Sequence, residues 1–424
     1  MNVLLIATNQ ADRYMDRMVV RPLPVGLAYL AASINEERHS MRVLDLMFSD
    51  DPLSEVSNAV NEFEPGVVGL SIRNLDNQSY FDTEWHLPGV KSVVDEIRAA
   101  SDATIVCGGP AFSILPSECF EFVGADLGIA GDGADAFADL VDHLERGDDH
   151  RSIPGLVYRK DGAVVVTEGR FTSNFNRPPR LDLLDMPRYN GSGFGVGIIT
   201  KLAQAYYQTA DSEKFSGQDW RIRPVGEVIE EVRNLNTEFG IQKVFFIDSG
   251  FNIPMSSAKT LCKAIIETGL KIRWNTNLRP GECDAELTGL MKESGCSLVL
   301  FAEGRGESSV TGRLKQIGNL ADLCREVELP FTLNITFGEP GETGHSVQQK
   351  IDFLDNTAPA FATTRVGARV LPNTQMAQVA LNEGLIKSES DLLKPTFYVA
   401  PDVRGWIADR LREESKKHPR WHLC

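Results

Sequence analysis

The chain has 424 residues, a length typical of two large domains or three smaller ones. Hydrophobic residues make up 42% of the sequence and charged residues 24%, which excludes a disordered or fibrous protein. The net charge of −16 lies almost wholly in residues 1–150, where 26 acidic residues outnumber 9 basic ones. Because phosphate binding needs clustered Lys and Arg, we do not expect nucleic acid as a partner.

The sequence carries no sign of membrane insertion or secretion. No apolar run reaches the roughly 18 residues of a membrane-spanning helix, and the first residues lack the charged segment of a signal peptide. We therefore expect a cytoplasmic protein without a membrane partner. Seven cysteines, at positions 107, 119, 262, 283, 296, 324 and 424, are too widely spaced for a zinc motif. We expect them to be reduced, buried thiols, and we predict no metal-ligating residues.

Short β-rich runs alternate with helical stretches over residues 1–150. This alternation predicts an α/β domain with a Rossmann-like, doubly wound parallel sheet, whose ligand binds at the carboxyl ends of the strands. The predicted strands span 3–7, 42–46, 67–72, 104–106 and 127–130, and the predicted helices span 26–36, 53–62, 90–100 and 134–145.

The loops after these strands hold the candidate ligand-binding residues of the first domain. Glycines there let the backbone approach a flat ligand, although the same glycines are also common in tight turns. No GxGxxG motif follows the first strand, so a dinucleotide site is not expected. The candidates are Asn9, Pro24, Gly26, Asp45, Ser71, Gly108, Gly109, Gly131, Asp132 and Gly133.

Residues 151–195 are predicted to form a connector that consists of a hairpin around Asp161-Gly162 and a Pro-rich stretch. Six strand–helix units over 196–386 then predict a partial (β/α)6 barrel of the TIM type, followed by a helical tail over 387–424. Polar residues at the strand ends suit a zwitterionic ligand that carries adenosine, although such residues also serve as solvated caps. They are Lys201, Asp248, Asn277, Arg279, Glu303, Glu339 and Glu342.

Segments of the first domain resemble the cobalamin-binding domain of the cobalamin-dependent radical S-adenosylmethionine enzymes. These segments are PLPVGLAYLAA, VLDL, VVGLSI, VCGGP and ADLGIAGDG. Many other cobalamin proteins supply a histidine to cobalt from the loop after strand one, but residues 8–24 contain none. The resemblance therefore implies cobalamin that is held without a lower-face histidine, a state that eases access to nucleophilic cobalt(I).

The second domain resembles the barrel of the same family through VFFIDSGFNI, IRWNTNLRP, LMKESGCSLVLFAEG and FGEPGET. The resemblance implies that Asp248 lies near the methionyl amino group of S-adenosylmethionine and that Arg279 is the family's third-strand arginine. It also implies that Glu303 lies near the ribose and that Gly338 and Glu339 back the adenine.

One family motif is missing. The family carries a Cys-x-x-x-Cys-x-x-Cys loop that holds a [4Fe–4S] cluster. Aligned on Thr200-Lys201, this chain has Gln204, Gln208 and Asp211 at the three positions, to within about one residue. Amide and carboxylate oxygens are not usual cluster ligands, so we expect no [4Fe–4S] cluster.

The residues of that loop could take other roles. Tyr206 and Tyr207 could fill the volume of the cluster or stack on adenine. Lys201, Asp211 and Glu303 are the candidate catalytic bases.

These features predict a cobalamin- and S-adenosylmethionine-dependent enzyme of natural-product metabolism that works by a polar, cobalt(I)-mediated step. Attack on the methyl group gives S-adenosylhomocysteine and methylates a small-molecule substrate. Attack on the methionyl chain instead releases methylthioadenosine, with ring closure or alkyl transfer. Two further alternatives are a cobalamin-binding sensor or carrier without catalysis and a cluster enzyme that uses scattered cysteines. The identity of the acceptor, the need for an external reductase and the oligomeric state stay open.

Overall fold

The computed structural model describes residues 1–169, 177–203, 220–248, 250–302 and 309–424. Its N-terminal part is a seven-stranded sheet in the order β2-β1-β3-β4-β5-β6-β7. The strands are β1 Asn2–Ala7, β2 Ser40–Asp45, β3 Val67–Ser71, β4 Thr104–Gly108, β5 Leu127–Ile129, β6 Leu156–Lys160 and β7 Ala163–Val166. The helices are α1 Arg13–Met18, α2 Val25–Ala31, α3 Pro52–Phe63, α4 Leu87–Ala100, α5 Pro116–Val123 and α6 Ala134–Arg146.

The first five strands are parallel and covered by helices on both faces. Successive residues of β1 alternate between two cores: Leu4 and Ile6 pack in the core with α3, α4 and α5, whereas Val3 and Leu5 pack in the core with α6. A strand buried on both faces in this way appears in the sequence as a continuous apolar run. The predicted doubly wound sheet is confirmed.

The predicted hairpin is also present, but it belongs to the first sheet. Strands β6 and β7 are antiparallel, and both turn residues have positive φ, 50° at Asp161 and 84° at Gly162. Positive φ at both central residues is typical of the tight hairpin turn whose twist matches that of the strands. Because β6 pairs with β5, the sheet continues past residue 150.

The second sheet is parallel and has the order β18-β15-β14-β13-β12-β11-β8, with helices between successive strands. This is the predicted partial barrel. Its strands are β8 Val196–Ile198, β11 Lys243–Phe246, β12 Arg273–Leu278, β13 Cys296–Ala302, β14 Phe331–Phe337, β15 Phe361–Val366 and β18 Trp421–Leu423. Two small antiparallel pairs accompany it, β9 Lys201–Ala203 with β10 Trp220–Ile222 and β16 Ala368–Arg369 with β17 Phe397–Tyr398. The helices are α7 Val225–Phe239, α8 Met255–Thr268, α9 Ala285–Glu293, α10 Val310–Glu326, α11 Gly344–Thr357, α12 Gln375–Asn382, α13 Pro401–Arg404 and α14 Ile407–Lys417.

The tail contributes more than the predicted helix. After α14 the chain forms β18, which pairs in parallel with β15 and places Trp421 opposite Ala362. The backbone N–H of Cys424 then donates to the carbonyl of Thr364 at 3.0 Å. The last residues therefore extend the barrel sheet by one strand.

Buried polar contacts join the two parts of the chain. Arg369 of β16 donates to Asp76, which follows β3, at 2.7 Å, and the two side chains are 5% and 2% exposed. Such a pair is costly to break because it leaves a charge buried and unpaired. No helix in the described ranges is long and apolar enough to cross a membrane.

Candidate functional site

A cavity of about 430 Å³ lies where the carboxyl ends of the two sheets face each other. This position follows from the fold, since the loops at the carboxyl ends of parallel strands form the ligand sites of both architectures. From the first part of the chain the lining residues are Ala7, Asn9, Val20, Arg21, Pro22, Leu23, Pro24, Val25, Gly26, Leu27, Asp45, Met47, Ser71, Arg73, Asn74 and Pro110. From the second part they are Ser192, Phe194, Gly195, Gly197, Ile199, Lys201, Leu202, Trp220, Phe245, Ile247, Asp248 and Asn277.

A second cavity, of about 160 Å³, adjoins the first and reaches into the N-terminal sheet. Gly26, Ser71, Pro110, Ile199 and Leu202 are among the residues that line both. The structure thus brings the predicted residues of the first part together in one continuous region. In the smaller cavity these are Gly26, Ser71, Gly108, Gly109, Gly131, Asp132 and Gly133.

The glycines of this region have two different reasons to be glycine. At Gly109 φ is 103°, and an added Cβ would come within 2.7 Å of the carbonyl oxygen of Ile72, so the close turn itself requires glycine. At Gly131 φ is 92°, which also favours glycine, and at both Gly26 and Gly131 nothing lies within 4 Å of an added Cβ. Side chains at these two positions would occupy open space beside the cavities, which is the arrangement expected where a broad, flat ligand lies against the backbone.

The lining of the two cavities is compatible with cobalamin. The glycine positions leave room for a flat macrocycle, and the surrounding wall is largely apolar, with Leu5, Leu30, Val106 and Phe137 among its members. The described residues that line either cavity include no histidine.

Asp248 is the most deeply buried acidic group of the larger cavity. It follows β11, and its carboxylate accepts hydrogen bonds from the backbone N–H of Thr200, at 3.1 Å, and from the Thr200 hydroxyl. Its side chain has no solvent exposure. Burial raises the pKa of Asp248, while Lys201 and the Thr200 hydrogen bonds act in the opposite direction.

Lys201, on β9, lies beside Asp248. Its Nζ donates to the carbonyl oxygen of Phe251 at 2.9 Å and lies 3.9 Å from the nearer Asp248 carboxylate oxygen. The ammonium also lies 5.4 Å from the centroid of the Trp220 ring. Burial lowers the pKa of Lys201 to about 8, although Asp248 favours the charged form.

Asp45 lies on the opposite wall, at the end of β2. It accepts hydrogen bonds from the backbone N–H of Met47, at 3.1 Å, and from the hydroxyl of Tyr189. Burial raises the pKa of Asp45, and the Tyr189 hydrogen bond partly offsets this effect.

Among the described residues, four that were predicted for the barrel site do not line either cavity: Arg279, Gly338, Glu339 and Glu342. Arg279 follows β12, and its side chain lies so close to Gly250 that a Cβ there would come 2.9 Å from the Arg279 Cγ. Gly338 donates its backbone N–H to Glu342, and Glu339 forms ion pairs with Arg313, at 3.2 Å, and with Lys350, at 3.4 Å. Their ligand-binding roles stay predictions. Tyr206, Tyr207, Asp211 and Glu303, like Gln204 and Gln208, lie outside the described residues.

The sequence did not point to several polar residues of the larger cavity. Arg21, Arg73, Asn74 and Trp220 line it from loops and from the short strand β10. The sequence contains only a weak signal for two of them: Arg73 and Asn74 follow the predicted site residue Ser71 by two and three positions.

All seven cysteines lie in the described part of the chain, and all but Cys283 are fully buried. Cys107, Cys119, Cys262, Cys296 and Cys324 lie on strands or helices, whereas Cys283 and Cys424 lie outside these elements. None of the seven lines the larger cavity. Burial raises the pKa of Cys119, Cys262 and Cys324 to about 12, so these thiols are neutral.

Comparison with known proteins shows a B12-binding domain and a shared fold. Residues 18–141 match the B12 binding domain. The whole fold superposes on the radical S-adenosylmethionine methyltransferase TsrM from Kitasatospora setae, solved with cobalamin and a [4Fe–4S] cluster bound, with a TM-score of 0.82 and 22% identity over 100% of this chain and 93% of that one. The cobalamin-dependent S-adenosylmethionine radical enzyme OxsB matches with a TM-score of 0.74 and 12% identity over 98% of this chain and 66% of that one. The chain contains a B12-binding domain and has the fold of the cobalamin-dependent radical S-adenosylmethionine enzymes, so the predicted resemblance is confirmed.

Two curated relatives match most of the sequence. An uncharacterized methyltransferase, PH0819 of Pyrococcus horikoshii, is 27% identical over 86% of this chain and 79% of its own length. The tryptophan 2-C-methyltransferase of Streptomyces laurentii is 24% identical over 84% of this chain and 71% of its own length.

Proposed function

We propose that this chain is a cobalamin- and S-adenosylmethionine-dependent methyltransferase that acts on a small molecule by a polar route without a [4Fe–4S] cluster. The observation that carries the proposal is the larger cavity. Strand ends of the B12-binding sheet form one wall, and barrel strand ends with Lys201 and Asp248 form the other. A cobalamin and a sulfonium substrate can therefore meet between the two walls.

The chemistry that cobalamin supplies when bound is nucleophilic attack by reduced cobalt on a carbon of the sulfonium. The chain's own residues provide position and a dry environment. Asp248 is held by Thr200, Lys201 is held by the Phe251 carbonyl, and both groups are buried. Fixing two reactants in one orientation and excluding water from them is the main contribution that a protein can make to such a transfer.

The cysteines support the cluster-free part of the proposal. The segment that aligns with the family's cluster loop contains no cysteine between Thr200 and Arg223. The seven thiols present are spread over separate elements, and thiolates rather than buried neutral thiols ligate iron.

The relatives support methyl transfer. Both curated relatives are named as methyltransferases, and one of the names specifies a small substrate, tryptophan. We extend this class, small molecules of natural-product metabolism, to the present chain.

The test is an analysis of products. The protein is reconstituted anaerobically with hydroxocobalamin, a chemical reductant and S-adenosylmethionine, and the nucleosides are separated by liquid chromatography and mass spectrometry. We expect S-adenosylhomocysteine as the product and no iron or sulfide in the protein. Release of 5′-deoxyadenosine would contradict the polar route. Methylthioadenosine would indicate attack on the methionyl chain, and the lack of any nucleoside product would favour a sensor or carrier.

A further inference from the structure

A short segment of the connector, residues 177–180, lies along α2 beside the smaller cavity. At one end of the segment, Nη1 of Arg177 donates to the carbonyl of Ala32 at 3.3 Å. At the other end, the backbone N–H of Arg180 donates to the carbonyl of Ala28 at 3.0 Å. The two residues between these contacts are prolines, whose rings fix φ and stiffen the segment. Arg177 is therefore held at a defined place, at the C-terminal end of α2.

Arg177 brings a positive charge to the lining of a largely apolar cavity. It lines the smaller cavity, where Asp132 is the other charged member of the described lining. No carboxylate in the described part of the chain forms an ion pair with Arg177, and its side chain is exposed. A guanidinium has five N–H donors, and the Ala32 carbonyl occupies one of them. Arg177 therefore keeps both its charge and its donors available for an anionic ligand.

We propose that Arg177 binds the phosphodiester of cobalamin and thereby selects corrinoids that carry a nucleotide. This inference rests on the proposed function. The substituents around the corrin ring of cobalamin end in neutral amides, and the phosphodiester that links the ring to the nucleotide is the anionic one. A guanidinium matches phosphate oxygens with two parallel N–H donors, so an arginine is well suited to recognise this group.

The two cavities place Arg177 where a substituent of the ring can reach it. The smaller cavity, of about 160 Å³, adjoins the larger one, of about 430 Å³, and Gly26 lines both. A ring bound between the two sheets can therefore extend its nucleotide arm towards the smaller cavity. Arg177 lies outside residues 18–141, which match the B12 binding domain. The connector, and not the matched domain, supplies this contact.

The test compares a corrinoid that has the phosphodiester with one that lacks it. Hydroxocobalamin and hydroxocobinamide, which has neither phosphodiester nor nucleotide, are titrated into the full chain without reductant and followed by absorbance. Arg177→Met should bind hydroxocobalamin about three- to tenfold more weakly than the unmodified protein does, a modest change because solvent screens the contact. The variant should bind hydroxocobinamide as the unmodified protein does, since this ligand offers no phosphate.

Salt and a conservative variant separate a charge contact from a packing effect. In 1 M NaCl the loss in Arg177→Met should shrink to less than about twofold, because salt screens exposed charges. Arg177→Lys keeps the positive charge but not the planar pair of donors, so it should recover part of the affinity for hydroxocobalamin. A loss that is independent of salt and equal in both variants would contradict the proposed contact.

The chain offers a matched control in Arg180, three residues further along the same segment. Its guanidinium pairs with Asp182, at 2.7 Å, and with Glu36, and it lines neither cavity. Arg180→Met removes the same charge from the chain, and the backbone contact of Arg180 with Ala28 does not depend on the side chain. This variant should bind both corrinoids as the unmodified protein does.

The outcomes separate this inference from the proposed function. If Arg177→Met binds hydroxocobalamin normally, or loses both corrinoids to the same degree, the inference is wrong and the proposed function stands. If Arg180→Met loses as much affinity as Arg177→Met, the effect belongs to the overall charge or to the segment, and the inference is again wrong. If the unmodified protein binds neither corrinoid, the proposed function itself fails.

Discussion

The hydroxyl of Tyr29 on α2 donates to the carboxylate of Glu231 on α7 at 3.1 Å, across the boundary between the two parts of the chain. Arg223 donates to both residues, to Tyr29 at 2.7 Å and to Glu231 at 2.5 Å, and also to the carbonyl of Ile199. Arg223 and Glu231 are 2% and 5% exposed. This cluster joins the helix that lines both cavities to the end of the first barrel strand.

Arg223→Met should therefore destabilise the protein strongly. Removal of one partner of a buried ion pair typically costs about 3–5 kcal/mol, because the other charge stays buried without compensation. Tyr29→Phe removes two hydrogen bonds but leaves the ion pair intact, so it should cost about 2 kcal/mol. Thermal unfolding followed by circular dichroism compares the two variants, and equal losses would contradict the importance of the ion pair.

A larger side chain at Gly26 should weaken the binding of cobalamin. Gly26 lines both cavities, and an added side chain would meet open space there. Gly26→Leu should preserve the fold, since leucine is a better helix former than glycine, but should lower the affinity for hydroxocobalamin at least about tenfold. A spectrophotometric titration measures this affinity.

Gly226 is the matched control for Gly26. Each is the second residue of a helix, each follows a Pro-Val pair, and neither has atoms within 4 Å of an added Cβ. Gly226 is exposed and lines neither cavity. Gly226→Leu should bind hydroxocobalamin like the unmodified protein, and parallel losses in the two variants would mean that cobalamin does not lie against α2.

Asp45 makes stability depend on pH. Burial raises the pKa of Asp45, so the folded protein holds this proton more tightly than the unfolded chain does. The stabilising effect of the protonated carboxyl is therefore present at low pH and is lost as the pH rises through the folded-state pKa. Asp45→Asn cannot ionise, so its free energy of unfolding should improve relative to the unmodified protein as the pH rises from about 4 to 7. A constant difference across this range, measured by urea unfolding, would show that Asp45 does not titrate in this way.

The thiols should be inert in the folded protein. All of them except Cys283 are fully buried, and burial raises the pKa of Cys283 to about 11 as well. Reaction with a thiol-specific disulfide reagent at pH 8 should be negligible before denaturation and should titrate seven thiols afterwards. Rapid labelling of the native protein would indicate an accessible thiolate and would reopen the question of cluster ligation.

The sequence predicted the long, periodic elements well and the short ones poorly. Helix α6 was predicted over residues 134–145 and spans Ala134–Arg146, because its apolar residues follow a helical period and Gly147 ends it with a φ of 71°. Helix α5 was not predicted, since it spans only eight residues and begins at Pro116. Strand β18 was missed because its three residues are stabilised by pairing with β15, far away in sequence.

The sequence predicted only part of the candidate site, because loop conformations, like short strands, depend on contacts that are far away in sequence. Residues at or just beyond the carboxyl ends of strands, such as Ser71 and Asp248, are placed at the cavity by the topology of parallel sheets alone. Arg73 and Trp220 reach the cavity through loop conformations that one sequence does not specify. Glu339 forms ion pairs with Arg313 and Lys350, and such pairing could not be predicted because it depends on which helices pack together. Its contact with a ligand stays a prediction.

Lys201 should make stability depend on pH in the alkaline range. Burial lowers the pKa of the Lys201 ammonium in the folded protein to about 8. The same group in an unfolded chain has a pKa of about 10.4, so between these two values the unfolded chain binds more protons and the free energy of unfolding should rise with pH. Lys201→Met cannot titrate, so the unmodified protein should gain stability relative to this variant as the pH rises from about 8 to about 10. Urea unfolding at both pH values measures the gain, and an unchanged difference would mean that burial does not lower the pKa of Lys201.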